Sequence, residues 1–136
     1  MPMADARIAS VDTGDLAEVT ITVLTTPGHE GKTYPLTGPE SLTMTEVAQR
    51  LSDASGKTIR YVNVPPEEAR RVQLAAGMPE YRADALAELF AERRQGNEAQ
   101  VYRTIETVFG RRPTTFAEFA QRNAAIFRGE QPAPRI

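Results

Sequence analysis

The chain has 136 residues, 40% of them hydrophobic and 25% charged, with a formal net charge of −2. This composition predicts one globular domain with a modest core, and it shows no basic surplus for binding nucleic acid. The sequence contains no cysteine, which excludes disulfides, thiolate catalysis and metal sites with cysteine ligands. The first residues do not resemble a signal peptide and no apolar run could span a bilayer, so we expect a cytoplasmic protein without membrane or nucleic-acid partners.

The first elements predicted are a short strand and a helix. Residues 6–11 predict the strand, and Asp15 stands where the cap of the following helix is expected. In residues 16–25, valine and isoleucine alternate with threonine, which favours a strand. The preceding aspartate and the following Pro27-Gly28 favour a helix. We expect the helix and keep the strand as an alternative.

Residues 32–38 predict a second strand that ends in a turn. Pro35 lies inside this segment and has no backbone N–H to donate, so the strand is expected at the edge of a sheet. Gly38 and Pro39 form the turn that follows it.

The strongest helix signal comes directly after this turn. Thr43 and Glu46 have the spacing of a capping box, in which each side chain accepts a hydrogen bond from the backbone N–H of the other residue. Gly56 is placed to end the helix. Residues 58–64 alternate in polarity and predict a third strand.

The second half of the chain predicts only helices, at residues 65–77, 79–94, 97–109 and 115–128. The last of them begins with a second capping box, formed by Thr115 and Glu118. The order of elements predicts an α/β fold with about three strands joined by parallel crossovers. We expect a single domain with an α/β part, a helical part and a flexible tail, at residues 6–64, 65–128 and 129–136.

No glycine pattern in the sequence matches a phosphate-binding loop. Neither G-x-G-x-x-G nor G-x-x-x-x-G-K-[ST] occurs among the nine glycines. The nearest cluster, residues 28–31, lacks a strand before it and a helix start after it, so a connecting turn is the better interpretation. We therefore expect no cofactor site in the isolated chain.

The catalytic candidates are three side chains without a specific motif. His29 is the only histidine in the sequence and titrates near neutral pH, so it is a candidate general base, although an exposed turn residue is the simpler interpretation. Tyr34 and Tyr61 are candidate phenolic acids, yet no tyrosine has a lysine four residues later, and packing explains them more simply. One histidine and no cysteine also lead us to expect no metal site.

Three carboxylates have alternative interpretations. Asp12 and Asp15 are close enough to form a catalytic pair, but aspartates before a helix more commonly accept backbone N–H bonds. Glu40 lies in a turn, where it could contact a ligand, and turns favour such residues in any case.

Several ordered phrases resemble the C-terminal half of NmrA-like proteins, a family within the atypical short-chain dehydrogenases and reductases. The phrases, spread over residues 6–127, are VDTGDLAEV, LTTPGHEGKTYPLTGPESLTMTEVAQRLSDASGKTIRYVNVPPEEA and GMPEYRADALAELF. The resemblance implies that complete members bind NAD(P) in an N-terminal Rossmann half. Their C-terminal half adds the last strands and a helical subdomain on the substrate side. Some members reduce quinones or similar acceptors, and others are redox sensors that regulate a protein partner.

For this chain the resemblance implies a partial Rossmann-like sheet followed by a helical C-terminal subdomain. It places Asp12 and Asp15 at a strand-to-helix junction, chiefly as structural residues. It also places the turn after the second strand near the ligand cleft, which makes four residues candidates for substrate binding: Thr37, Gly38, Pro39 and Glu40.

Three functions are consistent with the sequence. The first is a module that binds a small molecule or a partner without redox activity of its own. The second is part of an NAD(P)-dependent, quinone-type oxidoreductase completed by a separate N-terminal half. The third is a non-redox isomerase or cyclase that uses the former substrate pocket.

A partner is expected in each case, because the absent half would leave apolar side chains in water. The side chains concerned are Ile8, Val11, Leu16, Ile21 and Leu24. We expect a homodimer, with or without swapped elements, or a separate N-terminal half, and a small aromatic or quinone-like molecule is the candidate ligand.

Overall fold

A computed structural model describes residues 1–132, which form a mixed α/β fold that is rich in helix. In chain order the elements are β1 (Arg7–Ile8), α1 (Thr13–Thr25), β2 (Leu42–Thr43), α2 (Met44–Ser55), α3 (Pro66–Ala75), α4 (Glu80–Arg94), α5 (Thr104–Thr107), α6 (Phe116–Arg122) and α7 (Ala124–Arg128). Residues 133–136, the end of the predicted tail, lie outside the described part.

The sheet differs from the prediction of about three strands joined by parallel crossovers. β1 and β2 pair antiparallel, with Ile8 opposite Leu42. Residues 32–38 and 58–64 form no strand in the described chain. Residues 32–38 make an isolated backbone contact, in which the N–H of Gly38 lies 3.4 Å from the carbonyl of Ala9. Neither segment has the repeated backbone ladder that defines a strand.

Residues 58–64, the third predicted strand, are held by a side chain instead of a neighbouring strand. The hydroxyl of Ser52 accepts the N–H of Ile59 at 2.9 Å and lies 3.1 Å from the carbonyl of the same residue. The hydroxyl thus accepts the N–H of Ile59 in place of a strand partner, while its single proton is shared between the carbonyls of Ile59 and Ala48. The alternating polarity of this segment therefore did not predict its structure correctly.

Residues 16–25 form a helix, as expected, and not the alternative strand. The cap is Asp12, whose Oδ1 accepts the N–H of Gly14 at 2.8 Å, whereas the predicted cap Asp15 lies in the first turn. Threonine hydroxyls along α1 donate to carbonyls four residues earlier, as Thr20 does at 2.8 Å. The threonine hydroxyls of this segment therefore find partners within the helix itself.

The capping box of α2 is confirmed. Thr43 Oγ1 accepts the N–H of Glu46 at 3.2 Å, and the Glu46 carboxylate accepts the N–H of Thr43 at 2.8 Å. Gly56 ends the helix with a φ of 69°, a left-handed conformation that favours glycine. α2 packs against α6 and α7, so these two helices dock on it.

Two of the four C-terminal helices are confirmed as predicted, and two are shorter. α3 and α4 match the predicted spans, and they pack against each other. The span 97–109 contains only the single turn α5, because its first half bonds to distant segments: Ala9 donates to the carbonyl of Glu98 at 2.9 Å, and Tyr102 donates to Thr37 Oγ1 at 2.9 Å.

The last predicted helix, 115–128, is interrupted at Asn123. Its φ and ψ of −104° and 13° leave the helical region, and its side-chain amide donates to the carbonyl of Phe119 at 2.8 Å. The asparagine thereby ends α6, and α7 begins at once in a new direction.

The core is small and rich in alanine, which lets the helices approach closely. Its members are Met3, Ala9, Val19, Leu42, Ala48, Ala83, Phe90, Ile105, Ala120 and Ala124.

The outer face of α1 is apolar and lies in water. Leu16, Ile21 and Leu24 are exposed, the last of them to 78% of its surface. Ile8 and Val11, which were also expected to face water, are half-buried.

Replacing Thr43 by alanine should weaken the fold through the loss of the α2 cap. The expected loss in the free energy of unfolding is about 1 kcal/mol, measured by urea denaturation. Thr45→Ala, an exposed threonine in the same turn, is the control and should change stability by only a few tenths. Equal losses in the two variants would show that the capping box contributes nothing specific.

Replacing Gly38 by alanine should be more damaging. A Cβ at this position would lie 2.1 Å from the backbone oxygen of Ser10, which no side-chain movement can relieve. We expect a loss of about 3 kcal/mol. The control Gly31→Ala has no atom within 4 Å of the new Cβ and a φ of +69°, so it should cost only about 1 kcal/mol from backbone strain. A Gly38→Ala protein as stable as the control would contradict the close contact.

Candidate functional site

Three consecutive backbone N–H groups, those of residues 114–116, each donate to a carboxylate. In order, the acceptors are Asp15 at 2.6 Å, Glu118 at 2.9 Å and Glu40 at 2.8 Å. These carboxylates come from α1, from α6 and from the turn before β2. The segment 114–116, which leads into α6, is therefore tied to two distant parts of the chain.

Further contacts hold each of these carboxylates. Asp15 also accepts the hydroxyl of Thr114 at 3.0 Å, and Glu40 forms an ion pair with Arg50 of α2 at 2.8 Å. The guanidinium of Arg112, followed by the N–H and hydroxyl of residue 115, lowers the pKa of Glu118 to about 2. Glu118 therefore stays ionised in ordinary buffers.

A cavity of about 150 Å³ lies beside this segment, lined by residues 10–13, by residues 114–116 and by Phe119. We call it the ring cavity. Its position follows the end of β1 and the start of α1.

Asp12 is the charged residue in the wall of the ring cavity. Its side chain is only 5% exposed. One oxygen accepts the N–H of Gly14, and the other forms an ion pair with Arg122 of α6. Both carboxylate oxygens are thus engaged in joining α1 to α6, and the structural interpretation of Asp12 agrees with this geometry.

The four residues predicted to bind substrate have separate places in the fold. Thr37 exchanges hydrogen bonds with the backbone of Tyr102, at 2.9 and 3.3 Å. Gly38 packs on the backbone of the ring cavity at residue 10, and Glu40 holds the N–H of residue 116. Pro39 lines a second cavity of about 180 Å³ near α5. Gly38 and Glu40 thus support the wall of the ring cavity from behind.

The candidates His29 and Tyr34 do meet, but away from the ring cavity. Nδ1 of His29 lies 2.8 Å from the Tyr34 hydroxyl, and Nε2 lies 3.0 Å from the hydroxyl of Thr26. The ring of Phe109 stacks on the histidine, with centroids 6.0 Å apart. This cluster fixes the turn between α1 and the extended segment 32–38.

The third catalytic candidate, Tyr61, anchors the start of the chain. Its hydroxyl accepts the N–H of Met3 at 3.0 Å and lies 2.8 Å from the carbonyl of Met1. Asn63 accepts the N–H of Ala4 at 3.0 Å beside it. These contacts give the extended segment 58–64 a role in holding residues 1–4.

The sequence reasoning missed the aromatic walls of the ring cavity, Phe116 and Phe119. The signal that could have found them is the second capping box, which fixes where α6 begins. Residues three apart on a helix lie on one side of it, so these two rings are neighbours, 5.5 Å apart between centroids.

The described residues do not fit the pyrophosphate of a dinucleotide. Such a group binds at a helix N-terminus, where free N–H groups and the helix dipole attract negative charge. All the described helices of eight or more residues have acidic side chains in the first turn: Asp15 in α1, Glu46 in α2, Glu67 and Glu68 in α3, and Glu80 in α4. These carboxylates would repel the phosphates.

Residues 1–132 also lack two other features. No helix there combines the length and the apolar character needed to cross a membrane. The same residues contain no group of three or more side chains of the metal-ligating types close enough to hold an ion.

Sequence comparisons relate the chain to reductases. It is 43% identical over 127 residues to the NAD(P)H azoreductase of Xenophilus azovorans and 32% identical over 114 residues to quinone oxidoreductase 2 of Escherichia coli K12. These alignments cover 93% and 84% of this chain but only 44% and 40% of those proteins. The chain thus spans less than half the length of these relatives.

Solved structures show the same relationship. The triphenylmethane reductase of Citrobacter sp., in complex with NADP(H), superposes with a TM-score of 0.77 at 31% identity, over 91% of this chain and 43% of that one. The NADPH-dependent quinone oxidoreductase of Escherichia coli, in complex with NADPH, gives 0.78 at 31% identity, over 88% and 42%. The NmrA-like family model matches residues 1–121. The prediction made from the ordered phrases is confirmed: the chain belongs to the NmrA-like family.

Proposed function

We propose that this chain forms the acceptor-binding part of an NAD(P)H-dependent reductase. The observation that carries the proposal is the 43% identity to an NAD(P)H azoreductase over 93% of the chain. Azo compounds, quinones and triphenylmethane dyes, the compounds named in the relatives, share conjugated π systems that accept a hydride. A conjugated organic acceptor is therefore the substrate class that we assign.

We propose that the dinucleotide is held by protein outside these 136 residues. The sequence has no glycine-rich phosphate loop. The acidic side chains in the first turns of the longer described helices would repel a phosphate at those helix N-termini. The nicotinamide, when bound, would supply the hydride. The residues of this chain hold the acceptor in place and keep water away from it.

A second function is favoured by the same acidic helix starts. A chain that cannot bind the dinucleotide could act as a module that binds a small molecule or a partner without redox activity. Under this proposal the ring cavity would hold the molecule, and no hydride transfer would follow. The isomerase or cyclase hypothesis gains no support, because the hydroxyls of Tyr34 and Tyr61 are engaged within the fold.

We further propose that the exposed face of α1 is a contact surface. Leu16, Ile21 and Leu24 present apolar surface to water on one helix, an arrangement typical of an interface. In a complete reductase this face would pack on the dinucleotide-binding part. In the isolated chain we expect a second copy to cover it.

A chimera tests the reductase proposal. This chain replaces the matching 44% of the Xenophilus azovorans azoreductase, and NADPH oxidation is followed with an azo dye and with a quinone. We expect NADPH-dependent reduction of at least one acceptor, because the grafted part supplies the acceptor side. The chain alone should show neither turnover nor saturable NADPH binding.

NADPH binding by the chimera is the control, since it shows that the dinucleotide-binding part has folded. A chimera that binds NADPH but reduces neither acceptor would contradict the reductase proposal and favour the second function, a binding module without redox activity. Submicromolar binding of NADPH by the chain alone would contradict the placement of the dinucleotide outside it.

Light scattering tests the contact surface. At micromolar concentration the chain should form dimers or larger species, and Leu24→Glu should shift it towards the monomer, because a buried charge at the interface is costly. The control is Ala85→Glu, which adds the same charge at an exposed position of α4, outside the contact surface. A monodisperse monomer of the unaltered chain would count against the proposal.

A further inference from the structure

We propose that Tyr34 is a redox-active tyrosine: a one-electron oxidant, such as an oxygen-centred radical, takes an electron from its ring while the phenolic proton passes to His29. The two side chains lie away from the ring cavity. This chemistry therefore needs neither the dinucleotide nor the acceptor of the proposed function, and it can be measured on the chain by itself.

A series of hydrogen bonds fixes which ring nitrogen of His29 accepts the proton. The hydroxyl of Thr26 donates to the carbonyl of Thr22 at 2.7 Å, so its single proton is already used. Nε2 of His29, 3.0 Å from that hydroxyl, must therefore carry a hydrogen and donate it. A neutral imidazole with a hydrogen on Nε2 has its free lone pair on Nδ1. The hydroxyl of Tyr34, 2.8 Å away, consequently donates to Nδ1.

The step balances with these two side chains and the oxidant. The ring of Tyr34 loses one electron to the oxidant, its O–H bond breaks, and the proton forms an N–H bond at Nδ1 of His29. The products are a neutral tyrosyl radical, an imidazolium and the oxidant reduced by one electron. Loss of the electron alone would leave a strongly acidic radical cation, so a base at hydrogen-bond distance makes the oxidation easier.

The surroundings of His29 favour the imidazolium that this step produces. The ring of Phe109 stacks on the imidazole, with centroids 6.0 Å apart and planes inclined by 15°. The face of an aromatic ring attracts a cation at this distance. Hydrogen bonds from backbone N–H groups, its own and that of Gly28, lower the pKa of Glu30, and the charge of His29 lowers it further. The ionised carboxylate is therefore near enough to attract the imidazolium in turn.

All four tyrosines belong to the described residues, and there the other three lack such a base. The hydroxyl of Tyr61, which is half-buried like Tyr34, donates to the carbonyl of Met1 at 2.8 Å. The hydroxyl of Tyr102 donates to a side-chain amide oxygen at 3.1 Å. Amide oxygens accept hydrogen bonds but do not take up a proton near neutral pH. Tyr81 is 73% exposed, so water surrounds it.

The experiment maps the nitration of the chain by peroxynitrite in bicarbonate buffer, which releases the carbonate radical and nitrogen dioxide. The carbonate radical oxidises a tyrosine, and nitrogen dioxide couples with the resulting tyrosyl radical to form 3-nitrotyrosine. Trypsin cleaves after lysine and arginine and leaves each tyrosine in a separate peptide, so mass spectrometry measures the four sites independently. In chain order these peptides are residues 33–50, 61–70, 72–82 and 95–103.

We expect Tyr34 to be nitrated more than any other tyrosine when the oxidant is limiting. Tyr81 is the stringent comparison, because access to solvent alone would make it the main site. Tyr61 is the matched control for burial and hydrogen bonding, since its hydroxyl differs in having an oxygen as its acceptor. Heavier nitration of Tyr81 or Tyr61 than of Tyr34 in the unaltered chain would overturn the proposal.

The variant His29→Gln tests the base. The amide oxygen of glutamine can still accept a hydrogen bond from Tyr34 but cannot take up its proton. Nitration of Tyr34 should fall at least about tenfold, because a positioned base is lost, while nitration of Tyr61 should stay the same. Circular dichroism shows whether the variant is folded, and unchanged nitration of Tyr34 in the folded variant would contradict the transfer of the proton to His29.

Voltammetry gives a second measurement that a purely structural role of His29 would not affect. The tyrosines at positions 61, 81 and 102 are replaced by phenylalanine, so that the oxidation wave belongs to Tyr34. We expect this wave at a lower potential than in the same chain with His29→Gln. Equal potentials in the two chains would show that His29 does not assist the oxidation.

Discussion

Three carboxylates that accept three consecutive backbone N–H groups hold this structure together beside the ring cavity. Asp15, Glu40 and Glu118 lie far apart in the sequence, and each accepts a hydrogen bond from one backbone N–H of the segment 114–116. The three hydrogen bonds tie α1, the turn before β2 and α6 into one unit. The ring cavity lies where these elements meet, and its aromatic walls, Phe116 and Phe119, belong to the first turn of α6.

The same carboxylates influence the chemistry. Consecutive N–H groups and helix N-termini are natural sites for phosphate, but here the protein's own acids occupy them. Under the proposed function, this arrangement suits a part that holds a neutral acceptor and leaves the dinucleotide to the rest of the protein. The chain is similar to azo, quinone and triphenylmethane reductases over less than half their length.

Sequence reasoning succeeded where the signals were local. The capping box of Thr43 and Glu46 requires only four consecutive residues, and the structure contains it as expected. The strand predictions failed because a strand depends on a partner strand that periodicity cannot identify. Ser52 accepts the N–H of Ile59 in place of such a partner, and residues 32–38 form no backbone ladder with another strand. Of the residues around the ring cavity, Glu40 was a candidate from the sequence and the ring of Phe119 was not.

The sequence by itself determined the positions of most helices, the family and the lack of a glycine-rich phosphate loop, because caps, composition and ordered phrases are local properties. Only the tertiary structure decided which polar groups meet. It placed His29 away from the ring cavity. It also made Asp15 a link to the segment 114–116 and Asp12 a link to α6. The physical reason is that these hydrogen bonds join residues about a hundred positions apart, and no local pattern encodes such a pairing.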